Sequence, residues 1–119
     1  MHPHQTWARA GMMFDLADFL SWKATGSLAR SQSTLTCKWT YLAHQQPGWQ
    51  TDFLARVGLE DMLAKAALPA QASPVGSNLG SLTEAAAADL GLTTACQVGA
   101  GLIDAHAGAL GVLGAFTRD

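Results

Sequence analysis

The segment 97–114 reads QVGAGLIDAHAGALGVLG, and it decides how the rest of the chain is interpreted. Glycines recur through an otherwise apolar run, and only Asp104 and His106 carry side chains suited to proton chemistry. The apolar stretch 98–103 is typical of a short buried strand, and the small residues from His106 onward are typical of a helix. Asp104 is therefore predicted to lie where a strand gives way to a helix.

Such a junction is a favourable place for a reactive carboxylate. Backbone N–H groups at the start of a helix are free, and ligands bind at the carboxyl ends of strands in open α/β sheets. A helix of small residues also allows a substrate or another backbone to approach closely. We therefore interpret Asp104 as the candidate chemical centre of the chain.

The composition is that of a folded protein without a strongly charged surface. Of the 119 residues, 49% are hydrophobic and 13% are charged, and the formal net charge is −2. No block of like charges is present, which argues against a nucleic acid or a charged membrane surface as a partner. The charge-free run 90–103 is too short and too polar to span a bilayer.

The N-terminus lacks the pattern of a secretory signal, and Cys37 and Cys96 form no CxxC motif. We expect a cytoplasmic protein with two free thiols and without a zinc site. At this length the chain is one domain at most. Its high apolar content and low charge suit a piece of a larger core.

Four further helices are predicted from apolar residues at helical spacing and from signals at their ends. Asp15 can cap the first helix or complement its dipole, and Thr83 is the predicted cap of the last. Gly26 and Gly91 are expected just beyond the ends of these two helices. The predicted helices span residues 7–25, 49–57, 59–68 and 83–90.

The segment 34–42 reads TLTCKWTYL, and its β-branched and aromatic residues favour a strand or a strand that runs into an extended loop. Lys38 is its only charged residue. A lysine in an apolar run either has a partner or a ligand, or lies on an edge strand and points to water. Residues 69–81 are predicted to form a loop, so the whole pattern is α/β with an incomplete sheet and flanking helices.

Two familiar enzyme motifs are not matched, because specific residues that they require are missing. Gly101–His106 superficially resembles the metal-binding start of amidohydrolases, but the second histidine of that pattern falls on Gly108. The glycines around Asp104 are not followed by the lysine and Ser/Thr of a phosphate-binding P-loop. A Ser-His-Asp or Cys-His triad stays open, although no G-x-S-x-G elbow is present.

A single carboxylate base remains as an enzymatic interpretation. It would accept the proton of a substrate hydroxyl while that oxygen attacks a phosphoryl group. Asp104 fits the base, and Lys38 can hold an oxygen of a polyol. Several segments then resemble the FGGY family of carbohydrate kinases, and within it the ribulokinase-like branch, in the family's order and at roughly its spacing. These segments are 14–26 (FDLADFLSWKATG), 36–41 (TCKWTY), 58–61 (GLED), 80–84 (GSLTE) and 101–108 (GLIDAHAG).

The resemblance implies a two-domain kinase of the actin-like, ribonuclease-H-like ATPase fold. Such kinases transfer the γ-phosphate of ATP, with Mg²⁺, to a hydroxyl of a sugar or polyol. The residue matching Asp104 is the family's catalytic base, and the lysine matching Lys38 contacts the sugar in ribulokinase-like members. His106 is expected to order the junction or to contact the substrate directly.

Residues 1–119 resemble the second half of the N-terminal, sugar-binding domain. The family's Asp-x-Gly-Thr phosphate loop and its C-terminal ATP-binding domain have no counterpart in the sequence. We therefore expect a pentulose as substrate, the missing kinase domains or self-association as partners, and no tight binding of ATP or Mg²⁺ by this chain. The alternative is a catalytically inactive fragment, or a remnant that only binds sugar or interacts with other proteins.

Overall fold

The computed structural model describes residues 3–115, a mixture of short helices and one two-stranded antiparallel sheet. This confirms an α/β chain in coarse form. In the described range the elements are α1 (Pro3–Arg9), α2 (Leu16–Thr25), α3 (Gln32–Lys38), α4 (Thr51–Arg56), α5 (Met62–Lys65), β1 (Asn78–Ser81), α6 (Glu84–Leu90), β2 (Gln97–Gly99) and α7 (Asp104–Gly114).

Helix α2 begins and ends at the residues that its local signals indicate. The Asp15 side chain accepts a hydrogen bond from the Ala17 N–H, and Gly26 adopts a φ of 77° just beyond the last turn. Asp15 itself is extended, so the predicted single helix 7–25 is wrong and is instead two helices separated by residues 10–15. The cap that starts α2 therefore also sets the break before it.

The strand predicted for residues 34–42 is wrong, because Thr34–Lys38 lies in helix α3. The Ser31 side chain caps this helix by accepting a hydrogen bond from the Ser33 N–H at 3.2 Å. That cap and the complete burial of Leu35 outweigh the β-branched composition of the segment. Lys38 is consequently the last residue of a helix and not part of a sheet edge.

The sheet is smaller than the sequence indicates. Strand β1 occupies the last four residues of the predicted loop 69–81, and it pairs with β2 through Asn78 with Gly99 and Ser81 with Gln97. Within the predicted strand 98–103, β2 ends at Gly99, and backbone hydrogen bonds from Ala100 to Ser77 and from Gly76 to Ala100 extend the pairing by one residue. Helix α7 begins at Asp104, two residues earlier than predicted, so Asp104 opens a helix directly.

Helix α6 confirms its predicted ends, with Thr83 as N-cap and Gly91 at a φ of 67°. Helix α2 packs against α6 and both strands. The predicted helices 49–57 and 59–68 are present in shorter form as α4 and α5. Capping signals therefore located helix ends better than hydrophobic spacing did.

A cluster that we call the packed core brings α3, α4 and α5 together. The rings of Tyr41 and Trp49 meet edge to face with centroids 5.1 Å apart. Gly48 passes so close beneath Tyr41 that a Cβ there would lie 2.4 Å from the ring. The buried members of the packed core are Leu35, Tyr41, Trp49, Leu54 and Met62.

Arg30 is completely buried and joins the segments on either side of α2 and α3. Its guanidinium donates to the Met13 carbonyl at 3.1 Å and to the Ala66 carbonyl at 3.2 Å. It also lies over the Phe14 ring at 3.8 Å from the centroid. Burial lowers the pKa of Arg30, and the negative charge of Asp18 opposes that shift. The residues just before Asp15 are therefore firmly held.

Candidate functional site

Asp104 is the first residue of α7 and is exposed. Its carboxylate oxygen Oδ1 accepts a hydrogen bond from the backbone N–H of Ala105 at 2.8 Å. The first N–H groups of a helix have no partner within the helix, and its dipole favours a negative charge at this end. The residue predicted as the chemical centre therefore lies at the end of α7 that favours a negative charge.

Asp104 lies in a pocket of about 290 Å³ that also contains Lys38. Both residues were predicted from the sequence to belong to the site, although they are far apart in the chain. We call this cavity the α2–α7 pocket. It is lined by Asp15, Leu16, Ala17, Leu20, Lys38, Leu102, Ile103 and Asp104.

Lys38 has an ionic partner in this pocket. Its ammonium nitrogen Nζ lies 2.9 Å from Oδ2 of Asp15, and the side chains are 54% and 10% exposed, respectively. The hydrogen bond to Asp15 and then the charge of Asp15 raise the pKa of Lys38, with a smaller contribution from Asp104. Lys38 therefore has a carboxylate partner, which was one of the two alternatives for it, while about half of its side chain faces water as in the other.

Asp15 is the site residue that sequence reasoning missed as such, because it was interpreted only as a helix cap. It does cap α2 through Oδ1, but its second oxygen Oδ2 faces Lys38. One signal was available, because an ionic partner was one of the two alternatives considered for Lys38. The sequence did not show which of the chain's acidic residues would supply it.

His106 is directed toward α3 and does not line the α2–α7 pocket. Its ring nitrogen Nδ1 lies 3.2 Å from the hydroxyl of Ser33, and Nε2 lies 3.9 Å from the sulfur of Cys37. The Ile103 N–H donates to the Ser33 hydroxyl at 3.3 Å, which leaves the hydroxyl proton free to point at Nδ1. These contacts tie the first turn of α7 to α3.

A second tie fixes the residues just before Asp104. The buried carboxylate of Asp18 accepts hydrogen bonds from the Ser31 N–H at 2.8 Å and from the Thr34 hydroxyl at 2.5 Å. The Ser31 hydroxyl in turn donates to the Gly101 carbonyl at 2.6 Å. Burial raises the pKa of Asp18, and its two hydrogen bonds oppose the shift. Helix α3 thus connects α2 to the start of α7.

The charges of the α2–α7 pocket indicate which ligands it suits. Two carboxylates and one ammonium line it, so it carries more negative than positive charge. A polyphosphate such as that of ATP does not fit this lining, whereas a neutral polyol can donate to carboxylates and accept from an ammonium. Cys37 and Cys96 are both free thiols, as expected.

Within residues 3–115, no three His, Cys, Asp or Glu side chains gather in a way that could hold a metal ion. In the same range, no helix combines the length and the apolar character needed to cross a membrane.

Comparison with known proteins gives the chain close relatives, although no protein-family model matches it. It is 55% identical over 116 residues to an FGGY carbohydrate kinase domain-containing protein of Danio rerio, covering 95% of this chain and 21% of that protein. The protein of the same name in Homo sapiens is 53% identical over 115 residues, covering 94% of this chain and 20% of that protein.

A D-ribulokinase of Saccharomyces cerevisiae, YDR109C, is 34% identical over 114 residues, covering 86% of this chain and 16% of that protein. The sequence motifs and these relatives therefore indicate the same family. The chain is related to the FGGY carbohydrate kinases, and it spans about a fifth of the length of the curated relatives that it matches.

Proposed function

We propose that this chain supplies the sugar-binding part of an ATP-dependent carbohydrate kinase. In the intact kinase, by which we mean a polypeptide of the relatives' length that contains this segment, it would phosphorylate a pentulose or a related polyol. The observation that carries the proposal is the presence of Asp104 and Lys38 in one pocket. Each was a candidate for this chemistry on sequence grounds.

Asp104 acts as the general base in this proposal. Its carboxylate accepts the proton of a sugar hydroxyl while the hydroxyl oxygen forms a bond to the phosphorus atom. The bond from phosphorus to the leaving oxygen of the donor breaks in the same displacement. Asp104 is exposed at the helix start and is hydrogen-bonded only on Oδ1 in the described contacts, so its other oxygen can face a substrate.

Lys38 binds the sugar in this proposal by donating hydrogen bonds to its hydroxyl or carbonyl oxygens. An ammonium has three N–H donors, and the contact with Asp15 uses one of them. His106 supports the site by holding the start of α7 against Ser33. As a second role, we propose that His106 contacts a larger substrate directly.

The substrate class rests on two supports. The yeast relative is named a D-ribulokinase, which favours ribulose or a similar five-carbon sugar phosphorylated at a terminal hydroxyl. The mixed charges of the α2–α7 pocket suit a neutral polyol. ATP and Mg²⁺ would be bound by parts of the intact kinase outside this chain.

We further propose that residues 1–119 form the second half of the kinase's N-terminal domain, of ribonuclease-H-like fold, in a cytoplasmic enzyme. The mixed helices and antiparallel strand pair are compatible with a piece of such a domain. Its remaining sheet would come from other parts of the polypeptide.

Steady-state kinetics of the intact kinase with D-ribulose, ATP and Mg²⁺ tests the proposal. Asp104→Asn is expected to lower kcat by about 10³-fold with little change in the KM for ribulose, because Asn keeps the size but cannot take the proton. Lys38→Ala is expected to raise that KM. Near-normal turnover of the Asp104→Asn enzyme would contradict the base assignment.

Asp89→Asn provides a matched control, because Asp89 is an exposed aspartate on α6 that does not line the α2–α7 pocket. It changes the net charge as Asp104→Asn does and should leave kcat and KM unchanged. If Asp89→Asn and Asp104→Asn lowered kcat equally, the loss would reflect charge and not a base in the pocket.

A second candidate is a chain that binds sugar without transferring phosphate. It is favoured by the negative balance of charges in the pocket, which does not suit a polyphosphate. Calorimetry of this chain with D-ribulose and with ATP separates the candidates. Binding of ribulose alone supports a sugar-binding segment, and binding of neither supports an inactive fragment.

A further inference from the structure

Asp15, the N-cap of α2, and Lys38, the last residue of α3, meet at the α2–α7 pocket. The lysine is the mobile member of this pair, since its side chain is 54% exposed and ends in a long flexible stem. Asp15 is only 10% exposed. The geometry of the pair is therefore set by the aspartate.

Four contacts hold Asp15 and the two residues before it in place. Its own Oδ1 accepts from the Ala17 N–H at the start of α2. Two residues earlier, the Met13 carbonyl accepts from buried Arg30, and the intervening Phe14 ring lies against the same guanidinium. Phe14 also stacks on Trp22 of α2, with ring centroids 5.2 Å apart. A residue fixed in this way can act as an anchor for a flexible partner.

The other charged or titratable groups that act on Lys38 do not provide such an anchor. Asp104 and Cys37 also raise its pKa, but each contributes less than either effect of Asp15. Within residues 3–115, Lys38 forms an ion pair with Asp15 alone. Removing the Asp15 carboxylate would therefore release the ammonium into solvent.

We propose that Asp15 is a positioning residue of the sugar site, which holds the Lys38 ammonium at the pocket so that its remaining N–H donors face the ligand. This inference rests on the proposed function, because it assigns Lys38 to the sugar. Asp15 thereby has two tasks on two oxygens. Oδ1 starts helix α2, and Oδ2 orients the lysine.

Loss of this anchor should weaken sugar binding more than it slows catalysis. A free lysine must lose its rotamer freedom each time a sugar binds, which corresponds to about a tenfold weaker Kd. The same cost applies to the ground state and the transition state, so it appears in KM and not in kcat. A residue with a purely structural role would not produce this division.

Asp15→Asn is the informative substitution, because Asn caps helices as well as Asp does. If its amide oxygen caps Ala17, its NH₂ group faces Lys38 and cannot accept from it. Asp15→Ser, which also keeps a capping oxygen but removes the second oxygen, is the companion variant. Both should unfold at nearly the same temperature as the wild type.

Two measurements on this chain test the inference. Calorimetry with D-ribulose should give a Kd about tenfold higher for both variants and an unchanged Kd for Asp89→Asn. NMR titration of the Lys38 side chain should show a lower pKa in Asp15→Asn than in the wild type, since the carboxylate that raises it is gone. In a Lys38→Ala background, Asp15→Asn should have less than about a twofold effect on Kd.

The outcomes separate this inference from the proposed function. If the wild-type chain bound no pentulose, the proposed function would fail, and the sugar role of Asp15 with it. If the wild type bound ribulose but Asp15→Asn changed neither Kd nor the Lys38 titration, only the positioning role would fail. An equal loss of affinity with and without Lys38 would also overturn it, because Asp15 would then act on the sugar directly.

Discussion

The packed core and helix α7 differ sharply in how their apolar residues are used. Leu35 at the centre of the packed core is completely buried, whereas Leu110 on α7 is 61% exposed, and the described part of α7 contains no buried residue. Yet the first turn of α7 carries Asp104. The candidate site therefore depends on hydrogen bonds from α3 to the start of α7, and not on the packing of α7 itself.

The largest expected effect comes from equal truncations in the two regions. Leu35→Ala should lower the free energy of unfolding by about 3–5 kcal/mol, because it leaves a cavity in the packed core. Leu110→Ala should change it by less than about 0.5 kcal/mol, because this side chain already contacts water. Urea denaturation of this chain measures both, and similar losses for the two leucines would contradict the contrast.

The next effect concerns the tie between the two regions. Asp18→Ala should lower the free energy of unfolding by about 2–3 kcal/mol, because it leaves the buried Ser31 N–H and Thr34 hydroxyl without their acceptor. Urea denaturation again provides the measurement. Asp89→Ala, an exposed aspartate on α6, should have little effect and serves as its control.

This tie should also depend on pH. Because burial raises the pKa of Asp18 above its usual 3.8, the folded state binds the proton more tightly than the unfolded state. The stability advantage of the wild type over Asp18→Ala should be greatest below pH 3.8 and should shrink as pH rises through the raised pKa. An advantage that grows with pH over this interval would contradict the direction of the shift.

Replacing either of two glycines by alanine should have a smaller effect on the stability of the chain, with opposite signs at the two positions. Gly26 ends α2 with a φ of 77°, so Gly26→Ala should cost about 1 kcal/mol. Gly108 is inside α7 with nothing within 4 Å of an added Cβ, so Gly108→Ala should stabilise the chain by about 0.5–1 kcal/mol. Thermal unfolding measures both, and destabilisation by Gly108→Ala would show that α7 is packed in solution.

The parts of the fold that could be predicted from sequence are those encoded within a few residues. Thr83 and Gly91 delimit α6, and Asp15 and Gly26 delimit α2, because a cap and its helix are adjacent in sequence. The β-branched residues of 34–42 led to a wrong strand, although the Ser31 cap was a local signal for a helix. In that segment, capping and burial of one face decided the outcome over composition.

The candidate site was predictable in its residue types and not in its connections. Asp104 and Lys38 were recognisable because they are charged residues within otherwise apolar motifs, and the structure brings them to one pocket. Asp15 was not assigned to the site, because its contact with Lys38 links the cap of α2 to the end of α3. The tie from Ser31 to Gly101 spans 70 residues and has no signature in the local sequence.

The central claim is that the α2–α7 pocket binds the sugar, although the described residues include two larger cavities. One, of about 490 Å³, is lined by apolar residues between Met12 and Trp22, and the other, of about 450 Å³, is lined by residues between Gln45 and Arg56. Titration of the isotopically labelled chain with D-ribulose, followed by NMR, compares the cavity at residues 45–56 with the α2–α7 pocket in one experiment. Lys38→Ala supplies the matched control.

We expect saturable chemical-shift changes at Asp15, Lys38 and Asp104, and their loss in Lys38→Ala. Saturable changes confined to residues 45–56, or changes at the α2–α7 pocket that persist in Lys38→Ala, would contradict the account.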